Sequence, residues 1–517
     1  MIRTHLRGLI VLLLSAFLLG SGSLRAAAEA AEIRTPLPPR APRINGPTIV
    51  GVRPGAPFLF RMPVTGERPL TCAVDDLPAG LVLDANNGII TGRLEQAGEF
   101  LVTLRAQNSH GAAQKRFRIV AGEHIALTPP MGWNSWNCWA ETVDQDKVLR
   151  SARALVASGL ADHGWAYVNI DDTWQGERGG PHQAIQGNER FPDMKRLCDE
   201  IHALGLKAGI YSSPWITTFA GFRGGSSDAA DGHWERLRDY ESNKRMGKYS
   251  FAANDAAQFG EWGIDYLKYD WAPNDVAHAK EMAVALHATG RDIVLSMSVG
   301  APLENIAEFV PWIQSWRTTG DIWDTWETPG PWQNSVSAIG FSQDAWVPFG
   351  GPGHWNDPDM LVVGWVGLNQ PMHPTRLTPA EQYSHISLWC LLSAPLLIGC
   401  DLERLDAFTL NLLTNDEVIA IDQDVLGRTA RRVATLGAID IYRKELGDGA
   451  VALGFFNRGD VTHTITAKLD RIGLGGARHV RDLWRQKDVG DFSIDLPVTI
   501  EPHDVVLYKV TAAIGGM

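Results

Sequence analysis

Short apolar runs alternate with amphipathic stretches between residues 129 and 424, and this rhythm predicts strands and helices in turn. The candidate strands, in chain order, are MGWNSW, AYVNIDDTW, LKAGIYSS, DYLKYDW, DIVLSMS, SWRTTGDI, HWNDPDML and PLLIGCDL. The clearest helix covers residues 143–159, with Thr142 and Gln145 in capping-box positions and one apolar stripe through Val148, Ala152, Leu155 and Val156. Strands that alternate with helices in this number favour a (β/α)8 barrel over an open doubly wound sheet, because no Gly-rich phosphate fingerprint follows any of them. We place the barrel at residues 125–424.

Period-two alternation without helical stretches flanks this segment on both sides. In residues 49–122, short apolar runs are separated by turn residues, and Asn87-Gly88 is a strong hairpin signal, so we predict a small β-sandwich. A proline-rich stretch in residues 31–48 reads as the linker that precedes it. Residues 428–512 predict a C-terminal antiparallel β-sandwich domain that covers one flank of the barrel. The chain is therefore expected to have three folded domains.

The first thirty residues have the pattern of an export signal. Arg3 and Arg7 precede an apolar run, and alanines with Ala-x-Ala spacing follow it. This predicts a secretory signal peptide at residues 1–30, with an uncleaved membrane anchor as the alternative. No later segment has the ~18 apolar residues of a membrane span. We therefore expect a mature protein that is secreted or periplasmic.

Composition and charge narrow the class of function. The chain has 517 residues and a net charge of -12, which argues against a nucleic-acid partner because phosphate binding requires a basic surface. Its five cysteines are odd in number and widely scattered, with no metal-ligand spacing among them. We predict neither a metal nor a cofactor. The 19 tryptophans suit flat, partly apolar surfaces such as sugar rings, although large cores use them as well.

Charged residues collect where the candidate barrel strands end, which is where barrel enzymes place their working residues. The polar strand ends are Asp171-Asp172, Tyr211-Ser212-Ser213, Lys268-Tyr269-Asp270, Arg317-Thr318-Thr319-Gly320-Asp321 and Asn356-Asp357-Pro358-Asp359. Alternation places Lys268 and Asp270 on one face of their strand. Two carboxylates in different environments are what a glycosidase needs, one as nucleophile and one as general acid. A carboxylate metal site is the competing interpretation, weakened by the lack of a His-rich ligand set.

The same motifs, in the same order, resemble glycoside hydrolase family 27, the melibiase-type α-galactosidases, over residues 125–510. The resemblance implies a retaining α-galactosidase that forms a covalent glycosyl-aspartate, with Asp270 as the nucleophile and Asp321 as the acid/base. It also implies a set of substrate-binding residues, which are Trp133, Asp171, Asp172, Tyr211, Lys268, Arg317 and Asp359. The expected partner is a carbohydrate with terminal α-galactose. Residues 49–122 resemble the immunoglobulin-like modules attached to many secreted bacterial enzymes.

Three departures from the family pattern bear on rigidity and specificity. Thr173 replaces a frequent cysteine, and Trp271-Ala272-Pro273 replaces a cysteine-containing run, so two disulfides of some relatives are not expected. After the fifth strand the chain reads LSMSVGAP, with small residues where α-galactosidases contact the 2-hydroxyl side of the ring. An α-N-acetylgalactosaminidase is therefore an open alternative. A β-L-arabinopyranosidase is less favoured because Asp171 keeps its carboxylate, and a binding protein on an inactive barrel would require a lost catalytic carboxylate.

Overall fold

The structure is a computed structural model that describes residues 32–328, 333–368 and 370–513. The signal peptide predicted at residues 1–30 lies outside the described residues. In the described ranges, no helix is both long and apolar enough to cross a bilayer.

Eight parallel strands form the central sheet, and we number them β1 to β8 in chain order. They are Met131–Asn134, Tyr167–Asn169, Lys207–Ser212, Tyr266–Asp270, Val294–Ser298, Ser315–Arg317, Trp355–Asp357 and Leu396–Ile398. Neighbouring strands follow the order β7-β6-β5-β4-β3-β2-β1-β8. Leu361, just beyond β7, closes the ring against β8: its amide donates to the Leu397 carbonyl at 2.8 Å, and its carbonyl accepts from the Gly399 amide at 3.0 Å. The predicted (β/α)8 barrel is confirmed.

Helices connect the strands as the apolar periodicity predicts. They are Trp136–Trp139, Gln145–Ala157, Met194–Ala203, Ala252–Trp262, Val276–Ala288, Ile306–Phe309, Val336–Gly340, Pro379–Leu392, Ala407–Leu413 and Asp416–Asp422. The helix expected at residues 143–159 covers Gln145–Ala157, and the capping box predicted at Thr142 and Gln145 is wrong. The helix is capped by the Asp144 side chain, which accepts from the Lys147 amide at 2.8 Å. Its apolar stripe faces the core, with Val148, Ala152 and Leu155 buried and Val156 partly buried.

The C-terminal domain is antiparallel throughout and packs on the barrel. A six-stranded sheet and a two-stranded sheet comprise Arg431–Leu436, Ile439–Glu445, Val451–Asn457, His463–Lys468, Arg478–Asp482, Lys487–Phe492, Asp495–Ile500 and Val505–Ala512. The buried ammonium of Lys444 donates to the Cys390 carbonyl at 3.0 Å and to the Ser393 hydroxyl at 2.6 Å. Helix Pro379–Leu392 is therefore enclosed by the barrel on one side and this domain on the other, which explains why nearly all its residues are buried.

The N-terminal domain consists of a four-stranded and a three-stranded sheet, with a further strand pair. Its strands are Arg43–Ile44, Ile49–Val52, Pro57–Arg61, Val64–Thr65, Thr71–Asp75, Leu81–Asp84, Ile89–Arg93, Gly98–Asn108 and Gly111–Ala121. The linker prediction for residues 31–48 is wrong in its last part. Arg43–Ile44 pairs with Val64–Thr65, so the domain begins before residue 49. Thr35 also bonds Asn411 of the barrel segment, which shows that this proline-rich stretch is anchored by polar side chains.

The N-terminal domain covers the end of the barrel at which the strands begin. The Arg53 guanidinium bonds Asp292, which directly precedes β5, with Nε to Oδ1 at 2.6 Å. Arg61 donates to the Leu204 carbonyl just ahead of β3 at 3.1 Å, and Arg68 pairs with Asp162 at 2.8 Å ahead of β2. The opposite end, where the strands finish, carries the polar residues discussed next.

Candidate active site

A polar cavity of about 160 Å³ opens where the barrel strands finish. It is lined by Trp136, Asn137, Asp171, Asp172, Tyr211, Phe219, Lys268, Asp270, Val299, Asp321, Ile322, Trp323, Asp359, Met360 and Leu368. This volume lies below the roughly 300–1,000 Å³ of pockets for drug-sized ligands, so the floor suits one small ring. Seven of the nine sequence-predicted ligand and catalytic residues line this cavity, and Trp133 and Arg317 are the two that do not.

Asp270 is the last residue of β4 and lies deep in the cavity, with only 6% of its surface exposed. Its Oδ2 accepts a hydrogen bond from the Tyr211 hydroxyl at 3.0 Å. Its Oδ1 has no hydrogen-bond partner among the described residues. Burial raises the pKa of Asp270 to about 7, while Lys268 works in the opposite direction. The free oxygen is therefore available to a ligand.

Asp321 follows β6 and differs from Asp270 in exposure and in charge environment. Its side chain is 67% exposed, and Oδ1 pairs with Arg317 Nη2 at 3.2 Å. Desolvation acts to raise the pKa of Asp321, but the charges of Arg317 and Lys268 outweigh it, so the net shift is downward. The cavity thus holds one buried carboxyl with a raised pKa and one accessible carboxylate with a lowered pKa.

Two further carboxylates and a lysine form the end of the cavity away from Asp321. Lys268 Nζ donates to Asp171 Oδ2 at 2.8 Å, and the Asn134 amide donates to the same oxygen at 2.9 Å. Asp172 accepts from the Ala220 amide at 3.0 Å, which ties it to the long loop after β3. Burial raises the pKa of Asp172 to about 6. Burial alone would lower the pKa of Lys268, but Asp171 and Asp270 raise it above the ordinary value.

Arg317 lies beneath the cavity wall and joins two carboxylates. Besides Asp321, it pairs through Nη1 with Asp359 Oδ1 at 2.9 Å. Asp359 Oδ2 in turn accepts from the Ile322 amide at 2.8 Å, next to Asp321 in the chain. Arg317 is outside the cavity lining, so the structure places it as a group that orients Asp321 and Asp359.

The structure does not bring Trp133 to the cavity. Its side chain is fully buried in the barrel core, and its indole N–H donates to the Cys400 carbonyl at 2.8 Å. Trp136, in the same MGWNSW motif, is partly exposed and lines the cavity instead. The prediction failed because β1 ends at Asn134: Trp133 lies within the strand, whereas Trp136 lies beyond its carboxyl end.

The segment after β5 divides between two cavities. Ser296 and Ser298 line a smaller polar space below the main one, together with Arg317. Val299 lines the main cavity with a φ of +68°, a conformation that β-branched residues rarely adopt. The side chain nearest a ligand here is therefore valine, and the two serines do not enlarge the main cavity.

Phe219 and Trp323 line the cavity without having been predicted. Phe219 lies in the long loop between β3 and the next helix, where no periodicity marks it. Trp323 directly follows the RTTGDI motif, so its nearness to Asp321 could have been inferred from the chain.

A (β/α)8 barrel with a buried and an accessible carboxyl at its strand ends is the arrangement that many glycoside hydrolases use. The chain belongs to the α-galactosidase A family: the family model described as "Alpha galactosidase A" matches residues 128–244 and 237–424. The model of the "Alpha galactosidase C-terminal beta sandwich domain" matches residues 436–510, and the model described as "Putative Ig domain" matches residues 41–122. The family predicted from the motifs is confirmed.

Individual relatives agree with this assignment. Alpha-galactosidase 2 of Arabidopsis thaliana is 37% identical over 76% of this chain and 92% of its own length. The crystal structure of a candidate α-galactosidase from Bacteroides fragilis has a TM-score of 0.82 and 34% identity, covering 91% of this chain and 98% of that one. The α-N-acetylgalactosaminidase of Gallus gallus is 31% identical over 74% of this chain and 93% of its own length.

Proposed function

We propose that this protein is a retaining exo-glycosidase that hydrolyses terminal α-D-galactosyl residues through a covalent glycosyl-aspartate intermediate. One observation carries the proposal: the unpartnered Oδ1 of buried Asp270 and the exposed carboxyl of Asp321 line one cavity. Asp270 Oδ1 can reach a sugar ring held in the cavity, and the Asp321 carboxyl can reach the glycosidic oxygen of the leaving group.

The reaction has two displacements. In the first, Asp270 Oδ1 forms a bond to the anomeric carbon while the bond to the glycosidic oxygen breaks, and Asp321 gives its proton to that oxygen. In the second, Asp321 removes a proton from water, the water oxygen bonds the anomeric carbon, and Asp270 is released. Two inversions restore the original anomeric configuration.

Substrate binding must relocate one proton within the carboxyl pair. In the free site, the raised pKa of Asp270 and the lowered pKa of Asp321 leave the proton on Asp270. A bound substrate covers Asp321, which is 67% exposed, and thereby removes water that stabilises its charge. With Asp321 desolvated, the proton moves to it, and Lys268 stabilises the ionised Asp270. The charge of Asp321 also raises the pKa of Asp270, so the protonation of one carboxyl influences the other.

Recognition of galactose is assigned to the end of the cavity away from Asp321. Asp171 and Asp172 are both buried and can accept hydrogen bonds from adjacent hydroxyls of the sugar. Lys268 stays charged there and can donate to a third hydroxyl. A sugar with the wrong configuration would leave these buried groups unpaired, which discriminates more strongly than apolar fit. The small cavity admits a single ring, which supports exo action on terminal residues.

The value of kcat/KM on an α-galactosyl disaccharide should be bell-shaped in pH. The active form carries one proton on the pair. That proton is lost as pH rises through about 7, the pKa of Asp270. A second proton is gained as pH falls through the lowered pKa of Asp321, and either change removes the active form. On α-galactosyl fluoride, which needs no protonated leaving group, the alkaline limb should disappear. A disaccharide profile that stays flat to pH 9 would contradict this assignment.

A panel of aryl glycosides separates galactose from the two related specificities. The purified protein should hydrolyse the α-galactoside in preference to the α-N-acetylgalactosaminide and the β-L-arabinopyranoside. Val299 occupies the cavity wall after β5, and Asp171 provides the carboxylate at the far end. Preference for the α-N-acetylgalactosaminide would identify the protein as an α-N-acetylgalactosaminidase. No turnover of any of the three glycosides would favour a binding protein.

We further propose that the protein is exported. Arg3 and Arg7 before an apolar run, followed by Ala-x-Ala spacing, support cleavage near residue 30. Sequencing the N-terminus of protein recovered outside the cytoplasm tests this. A cytoplasmic protein that begins at Met1 would contradict it.

A further inference from the structure

The rim of the cavity is apolar, in contrast to its charged floor. Trp136, Phe219, Val299 and Leu368 are partly exposed there, and Trp323 is 50% exposed. Most large aromatic side chains of the chain are buried, and fully buried tryptophans are numerous. An indole half-open to solvent at the mouth of a sugar-sized cavity therefore needs a physical explanation.

The backbone around Trp323 is held in place on both sides. Its amide donates to the Asn334 carbonyl at 2.8 Å, and its carbonyl accepts from the Thr325 amide at 2.8 Å. The Ile322 amide just before it bonds Asp359 Oδ2 at 2.8 Å. Asp359 is itself fixed, because its other oxygen pairs with Arg317 at 2.9 Å. The indole is thus presented by a fixed segment, which lowers the ordering cost of stacking.

Trp323 lies on the side of the cavity from which the leaving group departs. It is two positions from Asp321, the group assigned to protonate the glycosidic oxygen. Phe219 belongs to the other side, since it precedes Ala220, whose amide bonds Asp172 in the galactose end. Phe219 is also backed by Trp215, with ring centroids 4.9 Å apart, whereas no stacked aromatic partner is found for Trp323 among the described residues.

We infer that Trp323 is the platform of a subsite for the sugar that is attached to the terminal galactose. The apolar face of a pyranose ring would stack on the indole while its glycosidic oxygen faces Asp321. The inference rests on the proposed function and adds the leaving-group side to it. It makes Trp323 a specificity-determining residue for carbohydrate leaving groups, and for sugar acceptors when such a sugar replaces water in the second displacement.

The test compares two substrates that share galactose and differ in the leaving group. With W323A, kcat/KM on α-D-galactosyl-(1→6)-D-glucose should fall about tenfold, because the variant loses both the stacking face of the indole and the apolar area that it covers. The kcat/KM of W323A on α-galactosyl fluoride should change less than twofold, and inhibition of this variant by free galactose should be unchanged. W323F should recover most of the loss. W312A, at a partly buried tryptophan on the opposite end of the barrel, is the matched control.

Transfer to added glucose provides a second readout. Wild-type protein should form galactosyl-glucose from α-galactosyl fluoride, and W323A should shift the partition toward free galactose. Equal losses on both substrates, or no loss on the disaccharide, would overturn the inference while leaving the proposed function intact. Failure of the wild-type protein to cleave α-galactosyl fluoride would overturn both.

Discussion

Replacing Asp270 with asparagine is expected to lower kcat/KM on α-galactosides by more than about 10⁴-fold, because the amide cannot form the glycosyl intermediate. The fold should tolerate the change. Burial already keeps Asp270 protonated up to about pH 7, so a neutral amide of the same shape replaces a largely neutral acid. Galactose binding should persist as well. Steady-state kinetics, the melting temperature and galactose affinity measure the three expectations. Near-normal turnover would exclude Asp270 as nucleophile.

An external nucleophile distinguishes loss of the nucleophile from misfolding. In D270G, azide can enter the space left by the side chain and attack the anomeric carbon of α-galactosyl fluoride directly. Fluoride leaves, and one inversion gives β-galactosyl azide. The α anomer from this variant would contradict the proposed geometry.

Replacing Asp321 with alanine should reduce kcat/KM on a disaccharide by about 10²–10⁴-fold, the usual contribution of general acid–base catalysis. The loss of kcat/KM on α-galactosyl fluoride should be much smaller, since fluoride leaves without a proton. Asp321 is exposed and its removal deletes only one of the two carboxylates that Arg317 bonds, so stability should change little. D344A, at another half-exposed aspartate paired with an arginine, serves as the matched control.

Azide should also restore turnover by D321A, but the product should have the α configuration, opposite to the product of D270G. Here azide attacks the glycosyl-aspartate that Asp270 has formed, so two inversions give α-galactosyl azide. Equal losses of kcat/KM on the fluoride and the disaccharide would argue that Asp321 is not the acid.

Periodicity predicted the barrel because its strands are buried on both sides and read as continuous apolar runs. The same apolar runs do not show where each strand ends, and this is why Trp133 was wrongly predicted to contact the substrate. Both tryptophans of MGWNSW carry the same local signal, and only the end of β1 at Asn134 separates the core residue from the cavity residue. Asp270 and Lys268 could be predicted because charged residues in an apolar strand need a partner or a function.

Other features depend on contacts between distant parts of the chain. The link from Arg317 through Asp359 to Ile322 joins the carboxyl ends of β6 and β7, and no local pattern encodes it. The protonation state of the carboxyl pair likewise depends on burial and exposure in the folded cavity. The anchoring of residues 32–42 was missed because a proline-rich composition indicates an extended chain without indicating what it packs against.

The most direct test of the central claim is to trap the intermediate with 5-fluoro-α-D-galactosyl fluoride and to map the label by mass spectrometry. We predict that one fluorogalactosyl group is added, on a proteolytic fragment containing Asp270, and that no label appears in D270N. Turnover of this reagent with no covalent adduct, or an adduct on another carboxylate, would contradict the account.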